Sequence, residues 1–331
     1  MNAPAPFIAA ASSASSASLP PIVEVDASRQ DQITEAQAEA YHRAGLLILR
    51  NVVRGEELAA LQRETMPFVD NALRLCQGQD EAPPWDTNYI LAMKHGETGK
   101  LTPYRQEYVV QKSAACRLLL AHPFILKSVQ RLQGSDFTAT WDSMVFKSPG
   151  HGAIIPWHRD GNPPDYQPTP VFNVDFYLDQ ADATNCVWGI PGSNQWSPEQ
   201  ANDECRRRNT VPSGFDATGA IPVPMNPGDV LFHDVKTLHG SPWAQSKLRR
   251  VLYYEFRAAD VILKNNLRTT AYVKRKQMML KSLIAQRAAA PVGRGETPCA
   301  YAPQAGDWNQ IELPAGWEPA TYQYTHEDYM P

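Results

Sequence analysis

The sequence has no Cys-x-x-C motif, and its five cysteines (Cys76, Cys116, Cys186, Cys205, Cys299) are scattered and odd in number. A disulfide framework is therefore excluded, and reduced thiols in a cytoplasmic protein are expected. No apolar run approaches the ~20 residues of a membrane-spanning helix, so no membrane partner is expected. A basic excess is also missing. The formal net charge is −4, whereas a general nucleic-acid binder carries a positive footprint. Residues 1–22 contain few bulky side chains, and the first basic residue is Arg29. A secretory signal needs a basic start and a longer apolar core, and a mitochondrial leader needs arginines. This stretch of Ala, Ser and Pro reads as a disordered tail.

What is present suits one large domain. The chain has 331 residues, of which 43% are hydrophobic, ample for a core. Thr34-Glu35-Ala36-Gln37 fits a capping box, and the helix it opens ends at Gly45. Leu46 to Leu49 reads as a strand, and Glu56 to Leu75 as a helix. Residues 77–104, rich in Pro, Gly and charge and containing Trp85 and Tyr89, read as a long connection. Arg105 to Gln111 reads as a strand. Ala114 to Leu132 reads as a helix, broken at His122-Pro123 and stopped at Gly134. Thr138 to Lys147 is strand-like, with Trp141, Ser143, Val145 and Lys147 on one face. Val171 to Leu178 alternates clearly. Phe172, Val174, Phe176 and Leu178 share one face, and Asn173, Asp175 and Tyr177 the other.

The chemistry centres on Pro156-Trp157-His158-Arg159-Asp160-Gly161. On a strand, residues i and i+2 point the same way, so His158 and Asp160 would project side by side. A second histidine would complete a two-His-one-carboxylate triad, which leaves positions open on an octahedral Fe(II). His233 and His239 both compete for that place, and His151 sits between two glycines in a loop. Eleven residues after His239 comes Arg250, a guanidinium suited to a carboxylate. Residues 162–170 hold four prolines, which makes a stiff loop beside the motif.

Further motifs follow in order: Pro191-Gly192-Ser193, Pro227-Gly228-Asp229-Val230-Leu231-Phe232, His239-Gly240-Ser241, and Arg249-Arg250 opening a strand. From about Ile33 to about Phe256 the chain resembles the phytanoyl-CoA dioxygenase family of Fe(II)/2-oxoglutarate oxygenases. Two positions depart from the family pattern: Cys186 replaces a glycine and Asn194 a histidine. The resemblance implies a mainly β protein with flanking helices, built on a double-stranded β-helix (a cupin-like jelly-roll). It selects His158, Asp160 and His239 as the Fe(II) ligands. It also implies 2-oxoglutarate as cosubstrate, O₂ as oxidant, and release of succinate and CO₂. Its spacing assigns the far carboxylate of 2-oxoglutarate to Arg250 rather than Arg249, with Ser241 beside it. Lys147 and Asn173 become further cofactor contacts, with Asp175 next along the same wall. His233 is left a structural or pocket-polar role. Related halogenases replace the carboxylate ligand with Gly or Ala, so the retained Asp160 implies hydroxylation of a small molecule. Desaturation and ring formation use the same site.

Three domain-level expectations complete the reading. Residues 1–22 form the tail and 23–260 the catalytic domain. Residues 261–331 form a helix and an aromatic-rich extension that packs on the same domain or on a second subunit. The basic helix from Thr270 to Ala290 reads as a solvated face. Residues 197–220 read as a charged insertion, a candidate lid. Two other readings stand beside the oxygenase: a non-catalytic jelly-roll that binds a ligand, and a metal-dependent hydrolase or isomerase on a cupin-like barrel.

Overall fold

The computed structural model describes residues 19–78, 90–94, 101–150, 152–161, 170–210, 214–244, 247–265 and 267–303. Expectations for the first 18 residues, Trp85, Tyr89, His151, the proline loop 162–169 and the tail beyond residue 303 lie outside them.

Helix α1 (Glu35–Ala44) has the expected capping box from Thr34 and Gln37. Gly45 ends it at φ 72°, a left-handed conformation that glycine adopts without strain. A Cβ at Gly45 would also stand 2.2 Å from the Thr237 hydroxyl oxygen. Strands β1 (Val23–Asp26) and β2 (Leu46–Arg50) pair in parallel, and the long helix α2 (Gly55–Cys76) follows. The stretch taken as a long connection contains a hairpin, β3 (Ile90–Lys94) and β4 (Leu101–Glu107). Strand β4 stops before Tyr108, which takes φ 58°. The Asp142 carboxylate then accepts from the Val110 amide at 2.9 Å and anchors the short helix α3 (Val109–Lys112), so Gln111 is helical and not extended. Helices α4 (Ala114–Leu119) and α5 (Pro123–Gln133) are split at His122-Pro123, as the sequence suggests.

The remaining strands are β5 (Phe137–Lys147), β6 (Ile155–His158), β7 (Phe172–Tyr177), β8 (Val187–Gly189), β9 (Ile221–Val223), β10 (Val230–Asp234), β11 (His239–Ser241) and β12 (Arg249–Ala258). Eight strands form a sheet in the order β1-β2-β10-β7-β12-β5-β4-β3, and four form a second sheet, β6-β11-β8-β9. On the large sheet, alternation divides the side chains cleanly. Phe172, Val174, Phe176, Phe232, Leu252, Tyr254 and Phe256 pack with helical residues such as Tyr41, Leu61, Leu119 and Ile125 in the main core. On the other face, Leu231, Val251 and Tyr253 pack with Trp157 and Trp188 of the small sheet.

The insertion forms helix α6 (Pro198–Asn209), which is fastened to β6. The Asn209 carboxamide accepts from the Trp157 amide at 2.9 Å and donates to its carbonyl at 2.8 Å, as a neighbouring strand would. Phe215 stacks on Trp157 with ring centroids 4.9 Å apart. After α7 (Ala259–Lys264) comes α8 (Thr270–Ala289). The solvated basic face expected of α8 fails at two residues. Lys276 is buried, and Arg287 is held by Glu57 and Glu296 at 2.6–3.1 Å, because α8 lies against the large sheet instead of in solvent. No helix among the described residues is long and apolar enough to cross a membrane.

Candidate active site

The small sheet brings two histidines together directly. His239 of β11 stands opposite His158 of β6 in the ladder, with ring centroids 4.3 Å apart. Gly240 permits that approach: a Cβ there would lie 3.1 Å from the Ile155 carbonyl oxygen and 3.3 Å from the Trp157 Cα. Pro156 is tolerated because β6 is an edge strand. The strand ends at His158, so Asp160 sits on the bend beyond it.

Each histidine turns one nitrogen to the backbone. Nδ1 of His158 lies 2.8 Å from the Pro156 carbonyl, and Nδ1 of His239 lies 3.0 Å from the Thr237 carbonyl. Such contacts fix the tautomer and leave Nε2 for a metal. Both Nε2 atoms face the same carboxylate oxygen: Oδ1 of Asp160 is 3.2 Å from His158 and 3.8 Å from His239. Ligand atoms of His158, Asp160 and His239 all lie within 4.8 Å of one another. Two imidazoles and one carboxylate form the donor set of a non-haem Fe(II) centre, so these residues fit that metal.

The charges suit a cation. Burial and the neighbouring His158 push the His239 imidazole down to about 3, so it is neutral with a free lone pair. Burial opposes ionisation of Asp160, but His239, His158 and His233 together hold its carboxyl well below the usual range. For His158, burial lowers and Asp160 raises, and the carboxylate wins.

His233 is not a rival ligand. It stands behind Asp160, with Nε2 2.8 Å from Oδ2 of Asp160 and Nδ1 2.7 Å from Oδ2 of Asp175. Asn173 donates to the same Asp160 Oδ2 at 2.8 Å. The cavity-facing side expected for Asn173 and Asp175 is thus where they lie, but the Asn173 amide is engaged by Asp160.

The arginine choice reverses. Arg250 points to the helix-covered face of β12. There it forms a two-pronged pair with Asp179, Nε to Oδ2 and Nη2 to Oδ1, each at 2.8 Å. Its Nη1 donates to the Gln62 carbonyl at 2.6 Å and the Thr65 hydroxyl at 3.2 Å. The reason is phase. Pairing with β5 and β7 puts Arg250, Leu252 and Tyr254 on the core side, and Arg249, Val251 and Tyr253 on the cavity side. The sequence contained that signal, since the more apolar half of β12 belongs against the helices.

Arg249 is buried opposite Lys147 of β5, two cations in register. Neither forms an ion pair with a carboxylate among the described residues. Arg249 donates to the Asn185 carbonyl at 2.6 Å and the Ser241 hydroxyl at 3.1 Å, and its Nε has no partner. Lys147 donates to the Pro242 carbonyl. Burial, then the charge of Arg249, holds the Lys147 ammonium well below its usual range. The Ser241 hydroxyl donates to the Cys186 carbonyl at 2.9 Å and lies beside Arg249, not Arg250. Two buried basic side chains, a hydroxyl and the Tyr177 hydroxyl, which has no partner among the described residues, gather donors on one face of the sheet, an arrangement chemically suited to an anion. Glu107 of β4 lies further along the same sheet face, opposite Ser143, and burial pushes its carboxyl up to about 7.

The family model for phytanoyl-CoA dioxygenase (PhyH) matches residues 41–251. Among solved structures, EvdMO1 is similar at 26% identity with a TM-score of 0.55, over 68% of this chain and 50% of that one. The chain thus spans half the length of EvdMO1. SnoK from nogalamycin biosynthesis, a non-haem α-ketoglutarate-dependent carbocyclase, matches at 18% identity and TM-score 0.53, over 69% of this chain and 77% of SnoK. EctD from S. alaskensis, solved with 2-oxoglutarate and 5-hydroxyectoine, matches at 18% identity and TM-score 0.53, again over 69% and 77%. These two likenesses carry the fold, a cupin-like jelly-roll. No curated protein sequence matches the chain.

Proposed function

The chain belongs to the phytanoyl-CoA dioxygenase family, and from that premise we propose that it hydroxylates an unactivated C–H bond of a small molecule. Fe(II), 2-oxoglutarate and O₂ are its cofactors, and bound together they supply the oxidising power while 2-oxoglutarate is converted to succinate and CO₂. His158, Asp160 and His239 hold the metal. Their single-atom donors leave three of six octahedral positions for 2-oxoglutarate and O₂. Arg249 and Lys147 receive the far carboxylate of 2-oxoglutarate, with Ser241 steadying Arg249. The apolar neighbours Trp157, Val251 and Tyr253 keep that pocket dry and so strengthen the charge contact.

One observation carries this reading: a compact His-Asp-His set lies on the same side of the large sheet as two buried cations that form no ion pair among the described residues. A hydrolase or isomerase would need the metal site but has no use for Arg249 and Lys147. A non-catalytic binder would need neither a triad nor histidines pre-set through Nδ1. The test is anaerobic titration with Fe(II) and 2-oxoglutarate, following the visible charge-transfer band of the chelate in wild type and Asp160→Ala. A band in wild type alone supports the oxygenase. Iron-loaded, folded wild type with no band contradicts it. Once a substrate is found by succinate release, product mass separates hydroxylation (one oxygen gained) from desaturation or ring closure (two hydrogens lost).

A further inference from the structure

We propose that Asn173 and His233 are positioning residues that pin one oxygen of Asp160, so that this ligand offers the metal a single atom. The inference rests on the oxygenase reading and extends it. A carboxylate has two oxygens and can chelate a cation through both. If Asp160 did so, it would take a fourth coordination position. Only two would then remain for a chelating 2-oxoglutarate and O₂ together, which need three.

The geometry prevents this. Oδ1 of Asp160 faces the two histidine Nε2 atoms. Oδ2 is turned away and meets two donors at hydrogen-bond distance, Nδ2 of Asn173 at 2.8 Å and Nε2 of His233 at 2.8 Å. The two donors stand directly opposite each other on paired strands, His233 on β10 and Asn173 on β7. Asp175, fully buried, fixes the far side of the His233 ring. Asp160 itself has no ladder to hold it, because β6 has ended. One backbone contact is nearby, from the Gly161 amide to the Val235 carbonyl at 3.2 Å. A ligand on a bend is therefore held by a clamp on a rigid sheet. Outer-sphere partners of this kind set both the orientation and the affinity of a metal ligand.

The experiment compares Asn173→Ala, His233→Phe and Asp175→Asn with wild type. Three quantities are read: Fe(II) affinity by anaerobic calorimetry, 2-oxoglutarate affinity of the Fe(II) form, and melting temperature of the metal-free protein. Asn173→Ala and His233→Phe should each weaken Fe(II) binding by about 10- to 100-fold. Each should also weaken 2-oxoglutarate binding at saturating Fe(II) at least ~10-fold, because the freed carboxylate competes for its position. Asp175→Asn keeps an acceptor for the His233 ring but removes its charge, and should weaken both ligands less than His233→Phe does. Fe(II) and 2-oxoglutarate affinities within about threefold of wild type in folded Asn173→Ala and His233→Phe would overturn the clamp, and melting shifts alone would mark a purely structural role. Should His233→Phe not fold, Asn173→Ala decides. Wild type that binds Fe(II) but forms no chelate with 2-oxoglutarate contradicts the function proposed above, and the Fe(II) comparison still decides the clamp.

Discussion

Arg249 and Arg250 are neighbours in sequence and live in opposite worlds. Arg250 faces the helix layer, where Asp179 takes two of its prongs and Gln62 and Thr65 take the third. Arg249 faces the cavity, where it meets a carbonyl, a hydroxyl and a second cation, with Nε left over. A buried charge with every nitrogen matched holds a fold together. A buried charge left short of partners is kept for something that arrives from solution. The same contrast separates the two faces of the large sheet. The outer face is mostly apolar, and its buried Arg250 is paired with Asp179. The inner face carries Lys147, held low by burial and Arg249, and Glu107, held high by burial even though Arg105 pairs with it at 2.9 Å.

Several changes can break that contrast, and the largest effect is expected at the metal. Asp160→Ala should reduce 2-oxoglutarate-dependent succinate release to background in protein that still folds, with a lowered melting temperature because His233 and Asn173 lose their shared acceptor. Retained turnover would show that the cavity is not the reaction site. Next come the arginines. Arg250→Leu should destabilise folding on the order of 3 kcal/mol, because it strands the Asp179 carboxylate, and chemical denaturation reads that loss. Arg249→Leu should cost little stability, since it relieves Lys147 of a like charge. The Glu107 effect comes next because it is conditional on pH and reaches its full size only above the folded value. Its carboxyl binds a proton more tightly folded, at about 7, than unfolded, near the ordinary 4.5. Folding stability should therefore be fullest below the unfolded value and fall as pH rises through the folded one, by up to about 3 kcal/mol. Glu107→Gln should flatten the slope between those values, and an unchanged slope would assign it elsewhere. The smallest effect concerns Lys147. Only its protonated form holds the 2-oxoglutarate carboxylate strongly, so 2-oxoglutarate affinity should fall as pH rises through its lowered pKa, and Lys147→Met should remove that dependence.

Much of this was legible in the sequence. The capping box at Thr34, the break at His122-Pro123 and the two-sided strand at Phe172–Tyr177 are local signals, and each element formed as expected. His239 lies 79 residues beyond Asp160 (239 − 160), yet ordered motifs were enough to bring it to His158 and Asp160. Phase was harder. Alternation says that only one of two adjacent arginines can point inward, but the choice is made by pairing with β5, a partner about a hundred residues away. Counting from His239 could not supply it. The better clue was composition, since Leu252, Tyr254 and Phe256 belong against helices. The Asn209 grip on Trp157 was equally hidden, because nothing local marks an asparagine that stands in for a strand.

The most direct test titrates 2-oxoglutarate into the Fe(II) forms of Arg249→Leu and Arg250→Leu side by side under anaerobic conditions, following the chelate band. The account predicts a dissociation constant about a hundredfold weaker in Arg249→Leu, the worth of a strong charge-assisted contact, and a wild-type constant in folded Arg250→Leu. The reverse pattern, with Arg250→Leu weakened and Arg249→Leu unchanged, would contradict it.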